Sequence, residues 1–138
     1  MSRVLEGRSG TEESAGFPVA EIGNTTARHS TSHAEARDEL IREVSSWTGV
    51  TLHDHRFGGV EFRVGRREIG HLHATIADLP FPRAIRDELI AAGRARPHHV
   101  LPNSGWVTVP MRTDRDAANV IELFRYNYER AAKLRASA

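Results

Sequence analysis

The sequence predicts an α+β domain: an antiparallel β-sheet with helices packed on one face. Three observations predict it. Apolar residues recur at helical spacing in three separate stretches. Between the first two of these lie segments that alternate apolar and polar residues, as half-buried strands do. With 138 residues and 39% apolar content, the chain can build one core and not two. The expected order is helix, three or four strands, helix, strand, helix. Strands grouped between helices favour an antiparallel sheet with the helices on one side.

Residues 1–31 are rich in Gly, Ser, Thr and Glu and show no period. Such a stretch buries too little surface to offset its ordering entropy, so a flexible N-terminal tail is expected. The domain is expected over 32–136. Ser32 and Glu35 have the spacing of a capping box, and Ala36, Leu40, Ile41, Val44 and Trp47 follow on one helical face. Trp47 is expected in the core, and Gly49 ends the helix. Thr51 to Arg56 is a short strand. Val60, Phe62 and Val64 alternate with Glu61 and Arg63, and Gly65-Arg66 supplies a tight turn. The return strand is expected from Arg67 to Thr75. Ideal alternation there places Arg67, Ile69, His71, His73 and Thr75 on one face and Glu68, Gly70, Leu72 and Ala74 on the other. Gly70 leaves room for a ligand or another chain to approach the backbone.

Pro80-Phe81-Pro82 interrupts the chain, and Pro82 opens a second helix with Ile85, Leu89 and Ile90 on its apolar side. Gly93 suits the stop. A loop from Arg94 to Gly105 precedes a strand from Trp106 to Met111, with Pro110 marking an edge or an end. The last helix is expected from about Thr113 to Ala136, buried along Ala117, Val120, Ile121, Phe124, Tyr128 and Ala131.

Composition excludes several functions. The absence of cysteine removes disulfides, thiolate nucleophiles, iron–sulfur clusters and cysteine-type zinc sites. No apolar run approaches the roughly 18 residues of a membrane span, and no hydrophobic segment of a secretory signal opens the chain. A cytoplasmic location and no membrane partner are therefore expected. The 19 basic and 18 acidic residues are interleaved along the helices, which argues against a nucleic-acid partner. A homodimer is left open.

Histidine is where chemistry enters. Six of the eight fall in close sets: His53 with His55, His71 with His73, and His98 with His99. Two histidines one residue apart on a strand share a face, roughly 6–7 Å apart. Arg67, on the same face of an ideal strand, would stabilise an enolate or phenolate oxygen while His71 or His73 takes the proton. His98 and His99 are adjacent loop residues, so only one is expected to face the pocket. Asn103, Ser104 and Trp106 are candidate substrate-binding groups, with Gly105 letting the indole turn inward. His71, His73 and one loop histidine would also suit zinc or copper, and Glu68 or Asp78 would complete a 2-His-1-carboxylate iron site. Glu68 lies on the wrong face of an ideal strand for that role. No cofactor and no metal ligand are assigned, and an ion at the His71/His73 cluster is the lesser option.

The segments His55-Arg56-Phe57-Gly58-Gly59-Val60-Glu61-Phe62 and Arg67-Glu68-Ile69-Gly70-His71-Leu72-His73, with the Gly105-Trp106 strand, resemble the luciferase-domain family over about residues 38–132. That family includes the fungal luciferases and many small bacterial proteins. The fungal pattern R-E-I-A-H-M-H aligns with Arg67, His71 and His73. A downstream loop histidine corresponds to His98 or His99, and Trp106 matches in place. The resemblance carries over Arg67, His71, His73, Trp106 and one of His98 and His99; together with the reading of the loop residues, the expected catalytic groups are Arg67, His71, His73 and His99, and the expected substrate-binding groups are His98, Asn103, Ser104 and Trp106. It implies an oxygenase-like enzyme, without an organic cofactor, acting on a small enolisable or phenolic molecule. The fungal enzymes add O₂ to a hydroxylated pyrone, and the product decays with light. The alternative is a non-catalytic binding or sensing module that uses the same His-rich pocket. The element order also resembles MmcQ/YjbR-like domains of CyaY-like fold, an analogy that carries no function.

Overall fold

The computed structural model describes residues 33–137. The expected tail and Ser32 lie outside the described residues. Within them the chain forms α1 (His33–Ser45), β1 (Val50–His55), β2 (Gly59–Val64), β3 (Arg67–His73), β4 (Ile76–Pro80), α2 (Arg83–Ala91), β5 (Arg96–Pro97), β6 (Trp106–Pro110) and α3 (Asp114–Ser137). The strands make a six-stranded antiparallel sheet in the order β1-β2-β3-β4-β6-β5. Four hairpin-connected strands come first. The chain then leaves through α2 and returns so that β6 pairs with β4. The architecture is α+β, as the pattern of the sequence predicts.

One face of the sheet carries the core. Phe62, Leu72, Ala77, Leu79, Val107 and Val109 are buried under Ala36, Leu40 and Val44 of α1 and Ala117, Val120, Leu123 and Phe124 of α3. The helical residues recur every three or four positions, which keeps them on one stripe against the sheet. α2 adds Leu89 to the same core. α3 opens with a reciprocal cap. The Thr113 hydroxyl accepts from the Asp116 amide at 3.0 Å, and the Asp116 carboxylate accepts from the amides of Arg112 and Thr113. Trp47 stands past the end of α1, half-buried rather than at the core. Its ring meets Tyr128 at 5.2 Å, and the Arg125 guanidinium lies over it.

Three local departures from the expected pattern shape the open face of the sheet. The expected strand from Arg67 to Thr75 stops at His73, and Ala74 and Thr75 form a two-residue turn into β4, with His73 opposite Ile76. Ala74 takes a left-handed φ of 53°. Without Gly, Asn or Asp, that turn gives no sequence signal. β5 is only two residues long, too short to show a period. The third departure is a register shift between Phe62 and Arg63 against β3. Phe62 pairs with Gly70 and Arg63 with Glu68, so Ile69 is the extra residue of a bulge.

Candidate functional site

The bulge decides which side chains meet. Residues directly opposite on paired strands share a face. Arg67 opposes Val64, which is buried on the helix side, whereas Glu68 opposes Arg63 on the other. Beyond the bulge Leu72 points to the helices, and His71 and His73 point away. Ideal alternation is thus broken in the middle of β3. Arg67 is not brought to the histidines, Ile69 is core, and Glu68 joins His71. On the open face the cation next to this group is Arg63, paired with Glu68 across the strands. Gly70 accommodates the Phe124 ring rather than a ligand: a Cβ there would lie 2.7 Å from the ring, at a φ of 152°.

On the open face one row of paired residues crosses the whole sheet: His53, Glu61, His71, Asp78, Thr108 and Arg96. Asp78 is its hub. Its side chain is 1% exposed. Its Oδ1 accepts from the Thr108 hydroxyl at 2.7 Å. Its Oδ2 lies 3.2 Å from Nε2 of His71, 3.4 Å from Nε2 of His99 and 3.6 Å from Nε2 of His98. Burial pushes the Asp78 carboxyl up, but the bonds from His71 and Thr108 and the neighbouring imidazoles outweigh it and hold it down at about 2.

His71 is held from both ends. Its Nδ1 lies 2.6 Å from Oε2 of Glu68, and its Nε2 faces Asp78. Burial opposes a charge on the ring, yet the two carboxylates raise its pKa to about 9. At neutral pH both nitrogens carry protons and both donate. In that state His71 keeps no lone pair free for a substrate proton. The His55 ring stacks on it at 4.0 Å. His55 Nδ1 in turn lies 3.3 Å from Glu61, whose other carboxylate oxygen accepts from Arg63 Nε at 2.6 Å.

His73 is different. Burial and the charge on His71 lower its pKa, so it is neutral. Neither of its ring nitrogens makes a hydrogen bond among the described residues. It stands edge-on to His55 and His71 and parallel to Phe57 at 6.2 Å.

Both loop histidines face the hub, not one. Their rings stack at 4.4 Å. His98 Nδ1 accepts from the amides of Val100 and Leu101 at 3.1 and 3.0 Å. Burial lowers its pKa, with His99 and His71 adding to the effect against Asp78. A neutral imidazole that accepts at Nδ1 carries its proton on Nε2, so His98 presents an N–H to Asp78. His99 is half exposed. In its neutral form, donation from Nε2 to Asp78 leaves Nδ1 as a free acceptor. Trp106 completes the wall, 5.5 Å from His71 and 6.0 Å from His98. Asn103 and Ser104 serve the loop. The Asn103 carbonyl accepts from Arg83, and the Ser104 hydroxyl donates to the Leu101 carbonyl and accepts from the Trp106 amide.

A family model described as Luciferase domain matches residues 66–127, from the β2–β3 turn into α3. Over that stretch the chain is similar to the luciferase-domain family. No curated protein and no solved structure matches it. The matched stretch contains Glu68, His71, His73, Asp78, His98, His99 and Trp106. His55, Glu61 and Arg63, which complete the open face of the sheet, lie before it.

A metal fits this arrangement poorly. The donor atoms of Asp78, His98 and His99 lie within 4.8 Å of one another. Yet His98 Nε2 carries the proton that Nδ1 has no room for, so it has no lone pair for an ion. His71 Nδ1 is already taken up by Glu68 at 2.6 Å. Among the described residues no helix is long and apolar enough to cross a membrane.

Proposed function

We propose that this protein, like the luciferase-domain family it resembles, is an oxygenase-like enzyme that needs no organic cofactor and acts on a small enolisable or phenolic molecule. One observation carries this proposal. A single buried carboxylate, Asp78, aligns three imidazoles, while His73 beside them stays neutral with both nitrogens unbonded. The groups then divide their work. His73 takes the substrate's hydroxyl proton. His99, oriented by Asp78, offers its free Nδ1 to the substrate from the exposed side. Trp106 and Phe57 border the ring.

The charge balance suits a neutral substrate. The cations Arg63 and His71 are already bonded to the carboxylates of Glu61, Glu68 and Asp78, so a preformed phenolate gains little on entry. A neutral phenol that ionises only at His73 keeps its proton inside the site. The resulting anion gives electrons to O₂, a carbon–oxygen bond forms, and the peroxide oxygen recovers the proton from His73. Substrate and O₂ thus combine into one hydroperoxide with nothing left over.

An oxygen electrode tests this with a panel of phenols and hydroxypyrones. The expected result is uptake of O₂ in step with loss of substrate, reduced at least about 100-fold in His73→Ala. Saturable binding without O₂ uptake would instead favour the sensing module. No binding and no uptake would overturn both.

A further inference from the structure

Beside β3 and α3 lies a hollow of about 300 Å³ that shares only Glu68 with the histidine cluster. Its apolar wall includes Ile69 and Phe81, and its polar lining is Arg67, Glu68, Asn127 and Arg130. We propose that it binds a small hydroxycarboxylic acid with an apolar or aromatic body.

Arg67 and Arg130 supply the charge. Both are exposed, and neither has a hydrogen bond or ion pair among the described residues. The nearest carboxylate in the lining, Glu68, is already committed to His71 at 2.6 Å. Two unpaired guanidiniums around one hollow repel each other and attract an anion. Their forked donors fit a carboxylate.

Asn127 supplies an unmet acceptor. It is 5% exposed, and its Nδ2 donates to the carbonyls of Ile69 and Pro80 at 3.1 and 2.9 Å. Those two bonds fix the amide, yet its buried Oδ1 has no donor. Folded proteins leave few such acceptors, because each costs about 1–3 kcal/mol. A hydroxyl beside the carboxylate would supply the missing donor. The apolar wall then takes the body of the ligand. The volume suits one ring, at the small end of ligand pockets.

The test is a calorimetric and NMR titration of the full chain with 3-hydroxybenzoate, with benzoate as comparison. Saturable binding is expected, with movement of the Asn127 side-chain amide signals. Arg67→Gln and Arg130→Gln should each weaken it about tenfold, the worth of one charge-assisted pair. Benzoate should bind more weakly than the hydroxy acid. His73→Ala should change neither affinity, which separates this hollow from the oxygenase site. Equal binding of benzoate would remove Asn127 from the site and overturn the hydroxy-acid assignment. Binding that survives both arginine variants, binding lost in His73→Ala, or no binding at all would overturn the site itself.

Discussion

On the helix side of β3, Gly70 and Leu72 meet Phe124, Phe62 and Leu79, and nearly every contact is apolar. On the open side, Glu68, His71 and His73 meet Asp78, His55 and Trp106, and the contacts are hydrogen bonds and stacked rings. The same seven residues thus build a core on one side and a titrating network on the other. The two faces answer to different physics. The first is scored by volume, where a single methyl is felt. The second is scored by proton count, where one proton gained or lost changes a charge buried beside others.

The largest expected effect comes from crossing volume at the core face. Gly70→Ala puts a methyl into the Phe124 ring and forces a side chain onto a φ of 152°. Steric overlap and backbone strain together should cost about 3 kcal/mol or more. Urea denaturation measures it. A loss below about 1 kcal/mol would mean that Phe124 moves aside freely and that the core face is less rigid than its packing implies.

The sequence made much of the core face legible, because helical and alternating periods report which side is buried. Leu40, Val44, Phe62, Val107 and Phe124 are all where those periods put them. The open face was legible in part, as the His71/His73 pair on one strand face and Trp106 as a candidate wall. What hid the rest was the bulge at Ile69, which shifts the alternation and exchanges Arg67 for Glu68. Its one trace in the sequence is Gly70, and a lone strand glycine has several meanings. Asp78 is visible in the sequence as a candidate carboxylate ligand, but the turn at Ala74 hides its place as the hub: without a turn residue, β4 could not be placed beside His71. Such long-range pairing leaves no local mark, so the hub is visible only once the register is known.

A smaller effect is expected from proton count. His71 titrates at about 9 against an ordinary 6.5. Its contribution is fully present below about pH 6.5 and is lost as the pH rises through 9, worth about 3 kcal/mol. Asp78 titrates at about 2 against 3.8. Its contribution is present above about pH 3.8 and is lost as the pH falls through 2. These are the two ends of one ion pair, not two separate sums. Stability should therefore be flat between about pH 4 and 6.5 and decline on the alkaline side. Asp78→Asn should lower the plateau by about 2–3 kcal/mol and flatten the alkaline decline, since His71 keeps only Glu68. If wild type and variant lose stability in parallel from pH 6.5 to 9.5, His71 is not the group that titrates.

The smallest expected effect on stability is also the sharpest contrast between the faces. Phe57 is 88% exposed and holds a left-handed φ of 56°, a conformation that bulky residues rarely adopt. Its burial contributes almost nothing, and its backbone costs of order 1 kcal/mol. Glycine would remove that strain but adds a similar entropy to the unfolded chain. Phe57→Gly should therefore leave stability within about 0.5 kcal/mol of wild type, whereas on the core face Phe62→Ala should cost about 3–5 kcal/mol. If the exposed ring exists to border the histidine site, its loss should instead weaken binding of a phenolic ligand while leaving the denaturation curve in place. A variant that keeps its ligand affinity and gains clear stability would show that Phe57 is strained without serving His73. The open face would then begin at the imidazoles and not at the aromatic edge beside them.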